Sequence, residues 1–236
     1  MTHHILVTGS SRGIGRAIVE RLKEEDAVVI GHATRAAEGM LGADLADPAA
    51  PAALWQAALD ALGGRIDVLI NNAGIFEQAP LEMDDALWSA AWARTMQINL
   101  AAAAELCRHA VLHFRTQGSG GRIVNVASRA AYRGDSPAHW HYAASKAGMI
   151  GVTKTIARGY AAESIYAFAV CPGFTLTGMA EDYLASRGRE KLLADIPLGR
   201  VATPEEVAET VKFLTLDAPP SMTGAVIDIN GASYVR

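Results

Sequence analysis

The feature that most constrains the fold of this chain is a series of short apolar runs separated by longer stretches of helical character. The runs comprise residues 5–7, 28–30, 68–70, 123–126 and 167–170. Short apolar strands that alternate with helices are typical of a parallel sheet covered by helices on both faces. The sequence therefore predicts an α/β fold built from βαβ units.

Two helices can be placed from local patterns. Thr203-Pro204-Glu205-Glu206 matches an N-cap, a proline at the first helical position and an acidic first turn. We expect that helix to run to about residue 216. Residues 99–114 carry apolar side chains around most of a helix, which core packing or burial against another subunit would explain equally well.

Length and composition limit the function classes. The chain has 236 residues, half of them hydrophobic, and we expect residues 1–236 to form one domain. The net charge of −4 argues against a nucleic-acid partner, because such partners need a basic face. Cys107 and Cys171 lack metal-ligand spacing. No apolar run is long enough to span a bilayer, and no signal peptide is evident, so we expect a cytoplasmic protein.

A glycine-rich loop, Thr8-Gly9-Ser10-Ser11-Arg12-Gly13-Ile14-Gly15, follows the first predicted strand directly. Glycine permits a tight turn and a close approach of backbone to pyrophosphate, and free amides at a helix start favour an anion. An ordinary tight turn could use the same glycines, but the position between strand and helix favours a phosphate cradle. The expected contacts are Gly9, Ser11, Arg12, Gly13, Ile14 and Gly15.

Two later segments should carry further contacts to a dinucleotide. Asp44-Leu45 follows the third predicted strand and could hold an adenine, although the Asp44 carboxylate could instead cap a helix. Asn71-Asn72-Ala73-Gly74 follows the next strand, and Asn72, Ala73 and Gly74 would line the ribose and nicotinamide region. Because the carboxyl ends of parallel strands share one edge, we expect both segments beside the glycine loop.

The residues after the second strand bear on the choice of nicotinamide cofactor. An acidic residue there would pair with the 2′-hydroxyl of NAD, whereas basic residues accommodate the 2′-phosphate of NADP. The segment Gly31-His32-Ala33-Thr34-Arg35 contains no carboxylate. Arg35 and Arg12 could converge on one phosphate, although two solvated arginines are the simpler explanation. We expect NADP rather than NAD.

Tyr142 and Lys146 lie four positions apart and so on one face of a predicted helix. A neighbouring ammonium favours phenolate and should move the Tyr142 pKa down from about 10. Ser128 ends the strand at residues 122–127, where its hydroxyl could hold a substrate oxygen. Asn99, a poor helix former within a helix, could hold a relay water together with Lys146. Each residue alone has an ordinary structural explanation, but their combination predicts acid–base catalysis by Tyr142.

In their order along the chain, these motifs closely resemble the short-chain dehydrogenase/reductase family. The resemblance implies a single Rossmann-type three-layer sandwich with a doubly wound, seven-stranded parallel sheet. It also implies homo-oligomers, frequently tetramers, built through the helices that carry Asn99 and Tyr142. The landmarks are Thr8-Gly9-x-x-x-Gly13-Ile14-Gly15, Asn71-Asn72-Ala73-Gly74, Asn99, Ser128, Tyr142-x-x-x-Lys146 and Pro172-Gly173-x-Thr175-x-Thr177.

The resemblance also implies an activity. It points to an NADPH-dependent ketoreductase similar to 3-oxoacyl-acyl-carrier-protein reductases, with Tyr142 as general acid. Alternatives are an NAD-dependent dehydrogenase of a sugar, polyol or cyclic diol and, more weakly, a non-catalytic nucleotide-binding scaffold. The implied catalytic residues are Asn99, Ser128, Tyr142 and Lys146. The implied cofactor contacts include Tyr142, Lys146, Pro172, Gly173, Thr175 and Thr177.

Three features depart from the family pattern. Residues 31–40, between the second and third strands, are too few for the usual helix, so one side of the sheet should be barer. The loop between Ser128 and Tyr142 is one residue longer than is typical and could shape an unusual substrate pocket. Glu163 stands where carrier-protein reductases usually place a basic residue, so an acidic carrier would meet less attraction there.

Overall fold

A wholly parallel seven-stranded sheet forms the centre of the protein, for which a computed structural model describes residues 2–176 and 193–236. The strands run in the order β3-β2-β1-β4-β5-β6-β7, so the order reverses between β1 and β4. The predicted α/β fold and parallel sheet are confirmed, and all five predicted runs lie in strands. The strands are β1 (His3–Val7), β2 (Ala27–Ala33), β3 (Met40–Gly42), β4 (Val68–Asn71), β5 (Gly121–Val126), β6 (Ile165–Pro172) and β7 (Val226–Ile229).

Helices cover both faces of the sheet, because successive strand residues point to opposite sides. Leu6 of β1 packs with the cluster that includes α2 and α4, whereas Ile5 and Val7 pack with α1 and α7. Both clusters are buried, and the sheet is therefore the middle layer of three. The helices are α1 (Gly13–Leu22), α2 (Ala50–Ala61), α3 (Asp85–Met96), α4 (Ala102–Gln117), the single turn α5 (Ala130–Arg133), α6 (Trp140–Tyr160) and α7 (Pro204–Lys212).

The link between β2 and β3 is a short turn without a helix, as the sequence predicts. Gly31 N donates to Gly39 O across this turn at 3.1 Å. Residues 34–39 are all exposed, and Val28 in the neighbouring strand remains 45% exposed. This edge of the sheet is therefore barer than the centre.

The predicted cap of α7 forms in full. Thr203 Oγ1 accepts from Glu206 N at 3.3 Å, and Thr203 N donates to Glu206 Oε2 at 2.8 Å. Two amides that would lack a helical partner are thereby satisfied. The helix continues into a wider π turn, Phe213–Asp217, which agrees with the predicted end near residue 216.

Within residues 2–176 and 193–236, no helix combines the length and hydropathy of a membrane span. The same residues contain no group of three or more His, Cys, Asp or Glu side chains placed to hold a metal ion. Cys107 and Cys171 are buried free thiols. Burial raises the pKa of Cys107 to about 12 and that of Cys171 to about 11, so both remain protonated and unreactive at neutral pH.

Candidate active site

A cavity of about 440 Å³ opens at the carboxyl edge of the sheet. Loops that follow β1 to β6 line it, and the strand order reverses at this point. Doubly wound sheets bind their ligands at such a reversal, and the volume lies within the range of small-molecule sites. The cavity is therefore the candidate active site.

Most of the predicted site residues line this cavity. Gly15, Arg35 and Asn99 do not, and Thr177 lies outside the described residues. The predicted residues on the wall are Gly9, Ser11, Arg12, Gly13, Ile14, Asp44, Leu45, Asn72, Ala73, Gly74, Ser128, Tyr142, Lys146, Pro172, Gly173 and Thr175.

The glycine loop lines the cavity and packs closely against the segment after β4. Gly9 has φ +66°, and a Cβ there would lie 2.6 Å from Ala73 Cα. A Cβ on Gly15 would lie 2.2 Å from Gly9 O, so only glycine allows this close packing within the loop, and the expected contact of Gly15 with a cofactor stays a prediction. Arg12 caps α1 without a side-chain hydrogen bond, and the first turn carries no acidic residue. These uncapped amides fit the pyrophosphate of a dinucleotide.

His32, to which the sequence assigns no role, joins the glycine loop to the loop after β3. The ring is buried, Nδ1 accepts from Gly9 N at 3.2 Å, and Nε2 donates to Ala43 O at 2.9 Å. These two partners require a neutral imidazole protonated on Nε2, and burial lowers the His32 pKa. In the sequence, the only indication of a role for His32 is its position near the end of the second strand.

The wall near the end of β2 carries Thr34 and Arg12. Arg35, the next residue, is exposed and does not line the cavity, so its expected place beside Arg12 on one phosphate stays a prediction. Asp44 lines the wall while its Oδ1 accepts from Ala46 N at 3.0 Å. Both roles considered for Asp44, a cavity residue and a turn cap, are thus compatible.

The residues expected to move a proton meet at the other end of the cavity. Tyr142 and Lys146 extend from the first two turns of α6, and Ser128 follows β5. Ser128 and Tyr142 both line the cavity, and the Ser128 hydroxyl is near enough to the Tyr142 phenol to lower its pKa. Lys146 Nζ donates to Val126 O at 2.9 Å and lies 5.9 Å from the centre of the Tyr142 ring.

Burial controls the titration of Tyr142 and Lys146. It raises the pKa of Tyr142 to about 12, even though the hydrogen bond from Ser128 lowers it. Burial also lowers the pKa of Lys146 to about 8. The expected shift of Tyr142 toward phenolate is therefore wrong in sign, because desolvation outweighs any ammonium field. At pH 7 Tyr142 is a neutral phenol that can donate a proton.

Asn99 lies beneath the cavity wall in a π turn, Gln97–Ala101, between α3 and α4. Nδ2 donates to Ile75 O at 2.9 Å and to Ser145 Oγ at 3.3 Å, while Oδ1 accepts from Ile75 N at 2.8 Å. The amide thus fixes the backbone after Gly74 and can only accept a further hydrogen bond. A relay water held with Lys146 stays a prediction.

Aromatic side chains from three loops form a cluster near Tyr142 that the sequence did not predict. The Phe76 ring stacks on His139 with centroids 3.9 Å apart and meets Tyr142 edge-on at 4.7 Å. The Arg129 guanidinium lies 4.7 Å from the centre of the Phe174 ring. These loops surround Tyr142, so they shape the space available to a substrate.

Known proteins match this chain over nearly its whole length. A family model described as enoyl-(acyl carrier protein) reductase matches residues 9–232. A 3-oxoacyl-[acyl-carrier-protein] reductase from Vibrio cholerae is 37% identical over 243 residues, which cover 98% of this chain and 96% of the relative. A cis-4-hydroxycyclohexanecarboxylate dehydrogenase from Sinomonas cyclohexanicum is 37% identical over 241 residues, which cover 96% of this chain and 94% of the relative.

A solved structure also matches the fold. It is a crystal structure from Agrobacterium tumefaciens with bound NADP, of a protein provisionally named 2-deoxy-D-gluconate 3-dehydrogenase. The TM-score is 0.88 and the sequence identity 31%, and the match covers 99% of this chain and 97% of that one.

Proposed function

Because this chain belongs to the short-chain dehydrogenase/reductase family, it is an oxidoreductase of carbonyl and alcohol groups, and we propose that it acts as an NADPH-dependent ketoreductase. One observation carries the proposal. Tyr142, with Lys146 Nζ 5.9 Å from the centre of its ring and Ser128 on the same wall, lines the cavity that also includes the glycine loop. A cofactor held by that loop would extend toward Tyr142.

Each side chain has a separate role in the proposed reduction of a carbonyl group. When bound, the nicotinamide supplies the hydride. Ser128 and Tyr142 hold the carbonyl oxygen, and Tyr142 donates its proton as negative charge develops there. Lys146 holds the cofactor ribose, while Asn99 keeps the backbone at Gly74 in place. The Tyr142 phenol is partly buried and has a pKa of about 12, so it keeps its proton at pH 7 until a substrate oxygen accepts it.

Two features support NADP over NAD. Thr34 and Arg12 line the cavity near the end of β2, and residues 31–35 contain no carboxylate to bind a ribose 2′-hydroxyl. The structural relative from Agrobacterium tumefaciens carries bound NADP. Arg12 is thus the proposed partner of the 2′-phosphate, and Asp44 and Leu45 would contact the adenine.

Two classes of substrate are candidates. The Vibrio cholerae relative suggests reduction of a 3-oxoacyl group on a carrier protein, whereas the Sinomonas cyclohexanicum relative suggests dehydrogenation of a cyclic alcohol. Glu163 is exposed and paired with Arg115 at 2.7 Å, so it offers no positive charge to an acidic carrier. This contact favours a free small molecule.

Location and assembly remain predictions. We expect one domain over residues 1–236, a cytoplasmic location and a homo-oligomer built through α4 and α6. Leu112 on α4 is about half exposed, as an apolar contact to a second copy would require. Light scattering coupled to size exclusion would show the number of copies.

Replacement of the proton donor tests the proposal. Tyr142→Phe should lower kcat for ketone reduction by about 10²- to 10⁴-fold, since it deletes the donor and little else. The Kd for NADPH, measured by nucleotide fluorescence, should stay within about twofold of the wild type.

Tyr132→Phe is the matched control. Tyr132 bonds Arg236 and does not line the cavity, so this variant should retain turnover. The assays should cover ketones, 3-oxoacyl thioesters and quinones. Wild-type turnover by Tyr142→Phe, or failure of the wild type to bind either nucleotide, would contradict the proposed function.

A further inference from the structure

The loop between Ser128 and Tyr142 places a carboxylate, that of Asp135, on the wall of the cavity. Residues 133–135 are exposed as a whole, yet the Asp135 side chain is only 25% exposed. Burial raises the pKa of Tyr142, and the negative charge of Asp135 raises it further, so the two groups are near enough to interact. Asp135 has no part in the proposed proton transfer, so its place beside the proton donor requires another explanation.

Backbone contacts on both sides of Asp135 fix its position. Gly134, with φ +77°, ends α5, and its N donates to Ala130 O at 3.0 Å. Further along the loop, Ala138 O accepts from Ala79 N at 2.8 Å, which ties the loop to the segment after β4. The carboxylate is therefore preorganised, and preorganisation lowers the entropic cost of binding a substrate group.

The Asp135 carboxylate retains capacity to accept hydrogen bonds. Oδ1 accepts from Ser136 N at 2.7 Å and lies 3.8 Å from His139 Nδ1, which hydrogen-bonds to Ser136 Oγ at 2.7 Å. In the described part of the chain, no Lys or Arg side chain pairs with Asp135, and Ser136 N is the one hydrogen-bond donor to it. An ionised carboxylate has about four acceptor sites. The remaining sites are therefore available to a bound molecule.

The charges near Tyr142 restrict what Asp135 can bind. A carboxylate accepts hydrogen bonds and repels anions, so an anionic substrate group is disfavoured beside it. A cationic group is disfavoured as well, because the Lys146 ammonium already lies beside Tyr142. A neutral hydroxyl meets neither repulsion, and its hydrogen bond to a carboxylate is about twice as strong as one between neutral groups. The group that fits is therefore a hydroxyl close to the reacting carbonyl.

We infer that Asp135 binds a hydroxyl group of the substrate, so that the enzyme acts on hydroxy ketones and the corresponding diols or polyols. The inference rests on the proposed ketoreductase function and names its substrate class. Ser128 and Tyr142 would hold the carbonyl oxygen while Asp135 holds the hydroxyl, so one wall fixes two points of the substrate. A simple 3-oxoacyl thioester carries no such hydroxyl and would not make this contact.

Hydroxy ketones and their methyl ethers provide the test. The pairs are hydroxyacetone with methoxyacetone and 2-hydroxycyclohexanone with 2-methoxycyclohexanone, and kcat/KM is measured with NADPH. Both members of a pair keep the oxygen that activates the carbonyl, but only the hydroxyl can donate a hydrogen bond. The wild type should favour each hydroxy ketone by about 10- to 100-fold, as hydrogen bonds to a charged group typically provide.

Two variants of Asp135 separate the hydrogen bond from other effects. Asp135→Ala should lower the hydroxy-to-methoxy ratio to near one, mainly through KM for the hydroxy ketone. Asp135→Asn keeps an acceptor oxygen for Ser136 N and for a hydroxyl, so it should recover part of the ratio. A preference caused by the bulk of the methyl ether would persist in Asp135→Ala, and a ratio unchanged in that variant would overturn the inference.

Ser136→Ala is the matched control. It removes the hydrogen bond between Ser136 Oγ and His139 Nδ1 but keeps Ser136 N as the donor to Asp135. Ser136 does not belong to the described wall of the cavity, so the hydroxy-to-methoxy ratio should stay unchanged. An equal fall of the ratio in Ser136→Ala and Asp135→Ala would overturn the inference, because the conformation of the loop would then set the ratio.

The same assays distinguish failure of the inference from failure of the proposed function. A wild type that reduces hydroxy and methoxy ketones equally well would overturn the inference, while the proposed function would stand. A preference for aminoacetone over hydroxyacetone would also overturn it, because Asp135 would then select a cation. If no hydroxy ketone, methoxy ketone or 3-oxoacyl thioester supports NADPH oxidation, the proposed function fails as well.

Discussion

Burial raises the pKa of Tyr142 and lowers the pKa of Lys146. Removal of water keeps the proton on the phenol, with a pKa of about 12, and weakens the hold of the ammonium, with a pKa of about 8. At pH 7 both groups carry their protons. The residues therefore hold a transferable proton on the cavity wall, where a substrate oxygen can accept it.

At His32 the expected effect is on cofactor binding. His32→Leu removes an acceptor for Gly9 N and a donor for Ala43 O, so the glycine loop loses its connection to the loop after β3. The Kd for NADPH should rise by about 10-fold, because each buried group left without a partner costs about 1–3 kcal/mol.

His32→Gln is the control for this prediction, because its amide can both accept and donate. It should recover part of the affinity for NADPH in the same fluorescence titration. If the leucine and glutamine variants bind NADPH equally well, the hydrogen bonds of His32 do not position the loop.

Elements whose boundaries depend on local chemistry could be predicted, and those that depend on distant contacts could not. The N-cap at Thr203 and the apolar runs of the central strands can be recognised in the sequence from neighbouring residues alone. The π turn around Asn99 depends on Ile75, and the aromatic cluster depends on the packing of Phe76 against His139. Neither contact has a local sequence signal, so the order of site residues was predictable while their surroundings were not.

The capping box of α7 makes a pH-dependent contribution to stability. The hydrogen bonds from Arg200 and then from Thr203 lower the Glu206 pKa from 4.5 to about 2. Because the folded pKa is the lower one, the contribution is complete above pH 4.5 and is lost as the pH falls toward 2.

Glu206→Ala should therefore lower the free energy of unfolding by about 1 kcal/mol at pH 7, a value typical of a helix cap. The difference from the wild type should shrink in urea denaturation series taken at successively lower pH. Glu205→Ala, at the exposed neighbouring position, is the control and should have a smaller effect. A difference that is independent of pH would show that the carboxylate charge is not responsible.

The cavity joins both halves of the sheet, because its wall includes loops after β1 to β3 and after β4 to β6. A ligand that contacts both halves binds only the folded chain and stabilises the whole molecule. At 100 times its Kd, NADPH should add about 2.7 kcal/mol to the free energy of unfolding. For a chain of this size that corresponds to an increase in Tm of roughly 5–10 °C.

The same thermal measurement tests the choice of cofactor. NADPH should raise Tm more than NADH at equal concentration, and Arg12→Ala should reduce the NADPH effect to that of NADH. Equal stabilisation of the wild type by both nucleotides would contradict the proposed role of Arg12.

The short turn between β2 and β3 makes cofactor choice separable from folding. Residues 34–39 are exposed, so they contribute little to the two apolar clusters that hold the layers together. Substitutions in this turn can therefore change the recognition of the ribose without a cavity or strain in the core. An engineer who wished to convert this enzyme from one nicotinamide nucleotide to the other could redesign residues 34–38 together with Arg12 and keep Gly39, whose φ of +68° favours glycine.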